Sequence, residues 1–143
     1  MGAAPERGGV LVAIARESIA SALGVGKSLA RPDPWLSAPA ATFVTLRIAE
    51  ALRGCIGSID ARRPLAEDVA ANARAAAFSD PRFGPLGVAE YASLSVEVSL
   101  LSPRTAVPAA SEAQAVLQLR PGVDGVHLEY RGWRRRSCRR CGR

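Results

Sequence analysis

The chain has few of the side chains on which common active sites depend. It contains one histidine, one methionine and three cysteines, and aromatic residues make up only 5% of its 143 residues. One imidazole cannot form a multi-histidine metal site, and three cysteines do not form a disulfide framework. The phosphate-binding loop of nucleotide hydrolases and the nucleophile elbow of serine hydrolases are also missing from the sequence. The residues therefore give no support to these four classes of protein.

Long hydrophobic runs are missing as well. The apolar run at residues 10–15 is too short to span a bilayer, and charged residues lie on both sides of it. This pattern fits an amphipathic helix better than a signal peptide. We therefore predict no membrane segment and a cytoplasmic location.

Acidic residues are missing from the last part of the chain. All 13 of them precede residue 131, whereas seven of the 19 basic residues are arginines within residues 131–143. Residues 1–130 hold 12 basic and 13 acidic side chains, so the formal charge of +6 comes from this tail alone. Because the body of the protein is not basic, we do not expect nucleic acid as its partner. The alternative is a basic tail that contacts nucleic-acid phosphates.

The sequence does contain enough apolar residues, 48%, for one domain with a hydrophobic core. Prolines and glycines predict a loop over residues 24–40, in which Trp35 packs onto the domain. Hydrophobic periodicity predicts helices over residues 8–23, 64–78 and a short segment after Ser111, and strands over residues 41–48, 94–100 and 126–130. These elements do not alternate as regular β-α-β units. The fold class predicted is therefore α+β, with a mixed or largely antiparallel sheet flanked by helices.

The strand at residues 94–100 has the clearest alternation in the sequence. Its apolar side chains are predicted to face the core, and its polar side chains to face solvent or a site on the other side of the sheet. The apolar set is Leu94, Val96, Val98 and Leu100, and the polar set is Ser95, Glu97 and Ser99. Glu97 is accordingly either a solvated side chain or a proton acceptor in a pocket.

The cysteine in the body of the chain is the main candidate for chemistry. Cys55 lies in the segment Leu-Arg-Gly-Cys-Ile-Gly at residues 52–57, which we interpret as a glycine-rich turn. Gly54 and Gly57 leave room for a partner to approach the sulfur, and the positive charge of Arg53 favours a thiolate. The segment therefore predicts a nucleophile with a substrate-binding turn. The alternative is a buried structural cysteine.

A second candidate pair lies in the proline-containing loop that follows the predicted second helix. Asp80 and Arg82 are two residues apart, so the guanidinium can bind an anionic ligand while the carboxylate orients it. A simple loop-stabilising ion pair is the alternative. No metal site is predicted, because Cys138 and Cys141 form a single pair with two arginines between them. A catalytic dyad of Cys55 with His127 is not favoured.

The segment at residues 52–57 resembles the signature of the AMMECR domain family, the protein A component of AmmeMemoRadiSam systems. Further agreement comes from residues 42–46, 80–83 and 95–99, so the resemblance covers about residues 8–130. It implies an α+β fold and a role beside Memo-like and radical SAM proteins. It implies no settled reaction and no cofactor. We predict either an enzyme or enzyme-system subunit acting on a small molecule, or a non-catalytic binding module.

The arginine-rich tail at residues 131–143 departs from that family, which continues with an apolar segment. We predict that the chain is read out of frame from about Trp133 or Arg134 onward, so that the C-terminal part of the family fold is missing. With one choice of codons for residues 136–142, reading one nucleotide earlier gives Phe-Leu-Pro-Gln-Val-Trp, a segment of the family's type.

Overall fold

The computed structural model describes residues 4–121 and 123–137, and the chain separates into two compact units. Unit 1 comprises residues 1–102 and unit 2 comprises residues 103–143. The helices are α1 (Ala4–Leu23), α2 (Leu65–Phe78), α3 (Val88–Tyr91) and α4 (Glu112–Gln118), and a 3₁₀ turn occupies Pro34–Leu36. The strands are β1 (Pro39–Ala40), β2 (Thr42–Ile48), β3 (Ala51–Gly57), β4 (Arg63–Pro64), β5 (Leu94–Leu100), β6 (Val126–Tyr130) and β7 (Trp133–Ser137). The α+β class is confirmed.

The main sheet of unit 1 is antiparallel and has the strand order β3-β2-β5. The central strand β2 is covered on both faces, since Val44 and Leu46 on one side and Thr45 on the other are all buried. This confirms the strand predicted at residues 41–48, and its run of β-branched and aromatic residues suits a strand covered on both faces. The short strands β1 and β4 form a separate antiparallel pair.

The turn predicted around Cys55 is wrong, because residues 51–57 form the edge strand β3. The chain turns earlier, at Ala49 and Glu50, whose φ angles are +48° and +67°. A two-residue hairpin with both central residues in the left-handed region is normally signalled by Asn-Gly or Asp-Gly. Ala49 and Glu50 do not have this sequence pattern. The turn was therefore predicted at Gly54 and Gly57, which are typical turn residues.

Helices α1 and α2 cover one face of the sheet, and the core lies between them and β2. The helix predicted from hydrophobic periodicity at residues 64–78 is confirmed, and its apolar residues at four-residue spacing are all buried: Leu65, Val69, Ala73 and Ala77. Pro64 directly precedes the helix, as the preference of proline for helix starts predicts. Small side chains on α2 allow it to lie close to the sheet, and a Cβ atom at Gly54 would overlap the carbonyl of Ala76.

Strand β5 matches the predicted alternation except at its end. Leu94 is buried, and Val96 and Val98 pack against the core. The prediction is wrong for Leu100, which is 55% exposed. Leu100 pairs with Thr42 at the end of the strand, and the core cluster does not reach it.

Truncation of Val96 to alanine tests the inward-facing side of β5. We expect a loss of about 1 to 3 kcal/mol in the free energy of unfolding, because a large side chain that packs on the core is shortened. Urea titration followed by circular dichroism measures it. Ser95→Ala is the control on the same strand, since Ser95 is exposed and should change stability by less than about 0.5 kcal/mol. Equal effects of the two changes would contradict the assigned facing.

Unit 2 contains α4 and a hairpin of β6 and β7. The predicted helix start is confirmed, because the Ser111 side chain accepts a hydrogen bond from the Gln114 amide at 3.3 Å. The predicted strand at residues 126–130 is also confirmed. Trp133–Ser137, where the predicted tail begins, pairs with that strand. Gly122 of the predicted turn and residues 138–143 of the tail lie outside the described residues.

Each unit carries one tryptophan. Trp35 packs against the core cluster of unit 1 as predicted, with the Arg7 guanidinium carbon 5.1 Å from its ring centroid. Trp133 in unit 2 is 80% exposed. Among the described residues, no helix is both long enough and apolar enough to cross a bilayer.

Candidate functional site

The strand register places Cys55, Thr45 and Glu97 in one row across the main sheet. Thr45 on β2 pairs with Cys55 on β3 and with Glu97 on β5. Gly54 lies against α2, so Cys55, the next residue in the strand, lies on the opposite face. Directly paired side chains lie about 5 Å apart at their Cβ atoms. Two candidates predicted from separate segments therefore belong to one surface.

Thr45 is the residue that contacts the thiol. Its Oγ1 atom lies 3.3 Å from the Sγ atom of Cys55, close enough for a hydrogen bond involving sulfur. Thr45 is 2% exposed and Cys55 is half-buried. Sequence analysis did not identify Thr45 as a site residue, because a threonine in a strand is expected from β propensity alone.

The Asp80 carboxylate holds the backbone of Cys55. Its Oδ2 atom accepts a hydrogen bond of 3.0 Å from the Cys55 amide. The carboxylate is 3% exposed and also accepts bonds from the Arg82 amide, Nε and Nη2. The predicted pairing of Asp80 with Arg82 is therefore present as a fork of charge-assisted hydrogen bonds.

Arg82 completes this contact with the edge strand. Its Nη2 atom lies 2.7 Å from Asp80 Oδ2 and 3.4 Å from the carbonyl oxygen of Cys55. The amide and the carbonyl of Cys55 are thus both engaged by the same ion pair. More than half of the Arg82 side chain remains exposed.

The Arg82 guanidinium beside Asp80 holds the pKa of that carboxyl well below its usual range, and bonds from the Cys55 and Arg82 amides act in the same direction. A depressed carboxyl pKa adds stability above the unfolded value of about 3.9. That stability is lost only as the pH falls through the lower pKa of the folded state. The ion pair is therefore intact throughout the neutral range.

Arg53 is engaged by a carboxylate of its own. Its Nε atom lies 2.7 Å from Oε2 of Glu90 on α3. The guanidinium carbons of Arg53 and Arg82 lie 5.9 and 5.5 Å from the ring centroid of Phe83. Two guanidinium groups thus lie near the ring of Phe83. Glu90 was not identified from the sequence, because only the packing of α3 against the edge strand brings it to Arg53.

The two glycines of β3 pack closely against other residues of the same chain. A Cβ atom at Gly54 would overlap the Ala76 carbonyl, and one at Gly57 would overlap the Phe43 ring. Among the described glycines, only Gly24 and Gly132 have positive φ. The close approach predicted at residues 54 and 57 is therefore made by neighbouring parts of the fold, with ordinary strand backbone.

A second buried polar cluster lies at the start of α2. Asp68 is 1% exposed and accepts hydrogen bonds from the amide and hydroxyl of Thr42 at 2.8 and 2.7 Å. Its other oxygen accepts from Ser58 and from the Arg63 guanidinium. The amide of Asn72 donates to Asp68 and to Thr42. This Asp68 cluster ties the helix start to the sheet.

The remaining candidates belong to the C-terminal part of the chain. His127 is in unit 2, with its Nε2 atom 3.9 Å from Oε2 of Glu129. In the part of the chain that the structure describes, no group of three or more histidine, cysteine or acidic side chains is arranged to hold a metal ion. Cys138 and Cys141 lie outside that part.

The fold and the candidate site define an α+β protein in which a half-buried thiol lies on the face of a small antiparallel sheet opposite α2. The chain belongs to the AMMECR1 family, whose model matches residues 12–138. This confirms the resemblance drawn from residues 52–57.

Several proteins are similar to this chain in sequence. A protein of Sulfurisphaera tokodaii is 38% identical over an alignment of 133 residues, which covers 86% of this chain and 58% of that protein. A protein of Methanothermobacter thermautotrophicus is also 38% identical, covering 91% of this chain and 69% of its own length. An uncharacterised protein from Pyrococcus horikoshii has a crystal structure that is similar with a TM-score of 0.82 and 32% identity, over 94% of this chain and 70% of that one. The chain thus spans less than two thirds of the first of these relatives.

Proposed function

We propose that this protein is an enzyme, or one subunit of an enzyme system, in which Cys55 is the reactive group. The observation that carries the proposal is the position of the sulfur. It lies 3.3 Å from a buried hydroxyl, while both backbone polar groups of the same residue are bonded to one ion pair. A nucleophile needs such a fixed position, because reaction rates depend strongly on alignment with the substrate.

Glu97 is the proton acceptor in this proposal. It occupies the same row as Cys55, with the Thr45 hydroxyl between them. In the reaction, the thiol gives its proton to the Thr45 hydroxyl as that hydroxyl gives its own proton to the Glu97 carboxylate, and the sulfur forms a bond to an electrophilic atom of the substrate. The leaving group departs with its bonding electrons.

The substrate class follows from the charges around the thiol. Arg82 is exposed enough to contact a small anionic molecule, and Arg53 lies beside the same ring of Phe83. Gly54 and Gly57, also predicted as substrate-binding residues, instead allow the Ala76 carbonyl and the Phe43 ring to pack against β3. We propose that Memo-like and radical SAM proteins act in the same system, as the family resemblance implies.

A non-catalytic binding module is the second candidate. The observation in its favour is that Arg53 and Arg82 are both paired with carboxylates of the same chain. Paired arginines form a rigid recognition surface that does not require turnover. In this case the thiol serves packing, and its removal leaves partner binding intact.

The rate of Cys55 alkylation tests the enzyme proposal. In a Cys138→Ser/Cys141→Ser background, we expect iodoacetamide at pH 7 to modify Cys55 about tenfold faster than a short peptide of the same sequence. Mass spectrometry follows the modification, and a Cys55→Ala variant is the blank. A rate no faster than the peptide's, together with retained function in Cys55→Ala, would reject the nucleophile and leave the binding module.

A further inference from the structure

We propose that Asp80 and Arg82 are positioning residues for Cys55, in addition to the substrate contact proposed for Arg82. At the outer edge of the main sheet, their side chains form the hydrogen bonds with β3 that a neighbouring strand would otherwise form. This inference rests on the proposed role of Cys55 as the reactive group. It adds the ion pair that holds the backbone of Cys55, and with it the thiol, in position.

The argument begins with the edge of the sheet. β3 is the outer strand in the order β3-β2-β5, so alternate residues direct their amide and carbonyl groups away from β2. Cys55 is such a residue, because its amide bonds Asp80 and its carbonyl bonds Arg82. A carboxylate acceptor and a guanidinium donor thus supply the two bonds that another strand would make.

The geometry of the thiol follows from this edge contact. A residue whose amide points outward forms a non-hydrogen-bonded pair with the residue opposite, and side chains lie closer together in such pairs. Cys55 and Thr45 are opposite each other, and their side chains meet at 3.3 Å. Because the Asp80–Arg82 ion pair bonds the outward-pointing amide and carbonyl of Cys55, it favours the strand register in which the Cys55 sulfur contacts the Thr45 hydroxyl.

The ion pair is itself anchored to α2. Asp80 follows the end of that helix by two residues, and the Leu86 amide bonds the Ala77 carbonyl at 2.8 Å. Leu86 is buried in the core, which fixes the far end of the same loop. Asp80 is 3% exposed and is held by three donors of Arg82, so the carboxylate has little freedom to move toward a ligand.

Amide hydrogen exchange and alkylation of Asp80→Asn test the proposal. In the Cys138→Ser/Cys141→Ser background, we expect exchange of the Cys55 amide to accelerate by tenfold or more while amides within β2 keep their rates. We also expect the alkylation rate of Cys55 to change at least threefold, with an altered pH profile. A role in stability alone would accelerate exchange across the whole sheet.

Asp68→Asn is the matched control. Asp68 is also buried, also paired with an arginine and also accepts a backbone amide, but it bonds Thr42 instead of Cys55. It should alter exchange at Thr42 and leave the Cys55 amide unchanged. Arg82→Lys is the second variant, because it keeps the cation and removes the fork. It should accelerate exchange at Cys55 if Asp80→Asn does not fold.

Unchanged exchange and alkylation at Cys55 in a folded Asp80→Asn or Arg82→Lys protein would overturn the positioning role. Failure of the proposed function gives a different result, since Cys55 in the parent protein would then react no faster than the free peptide. The two outcomes are measured on different proteins and cannot be confused.

Discussion

Gly54→Ala is expected to destabilise the protein by about 3 kcal/mol, because the new methyl group has no room. The added Cβ would overlap the backbone carbonyl of Ala76, which cannot rotate away as a side chain could. Either α2 must move off the sheet or β3 must bend. Both movements disturb the core around Val69 and Ala73, which are fully buried.

Chemical denaturation followed by far-ultraviolet circular dichroism measures this effect. Gly84→Ala is the control, since a Cβ at Gly84 meets no atom within 4 Å. We expect that substitution to change stability by less than about 1 kcal/mol. A Gly54→Ala protein as stable as the Gly84→Ala protein would mean that α2 does not lie against β3 at this point.

Asp68→Ala is expected to have an effect of similar size, about 3 to 5 kcal/mol, for a different physical reason. The change removes the acceptor for the amide and hydroxyl of Thr42 and leaves Arg63 without its buried partner. Buried groups that lose a partner pay the cost of desolvation without compensation. The loss should appear in thermal unfolding at neutral pH.

Glu67→Ala provides the comparison for Asp68→Ala. Glu67 is the preceding residue of the same helix and is exposed, so its removal costs only a favourable interaction with the helix start. That interaction is worth about 0.3 to 1 kcal/mol. If the two alanine variants melt within a degree of each other, the Asp68 cluster does not stabilise the fold.

The parts of the fold that repeat along the chain were predictable from the sequence. The spacing of apolar residues in α2 and the alternation in β5 follow directly from helix and strand geometry, and both were confirmed. The hairpin at Ala49 and Glu50 was not predictable, because its backbone conformation is imposed by strand pairing on residues that do not favour it. Leu100 was misplaced because alternation gives the side of a strand, while burial also depends on the extent of the helices above it.

The candidate site was predictable in its residue types and not in its arrangement. Cysteine, aspartate and arginine in short motifs indicated where chemistry was to be sought. Only the strand register places Glu97 in the same row as Cys55, because both residues pair with Thr45 although they are 42 positions apart in sequence. Thr45 and Glu90 carry no motif, so only the assembled sheet identifies them. The Asp68 cluster was missed because an acidic residue in the first turn of a helix is already explained by the helix dipole.

The distribution of the two tryptophans makes the protein suited to optical study. Trp35 is partly buried against the core of unit 1, whereas Trp133 in unit 2 is 80% exposed. Acrylamide or iodide should quench the second strongly and the first weakly, and the emission of the first should lie at shorter wavelength. Single-tryptophan versions made with Trp35→Phe or Trp133→Phe would give each unit its own fluorescent signal. The unfolding rates of unit 1 and unit 2 could then be measured separately by stopped-flow fluorescence, without any added dye.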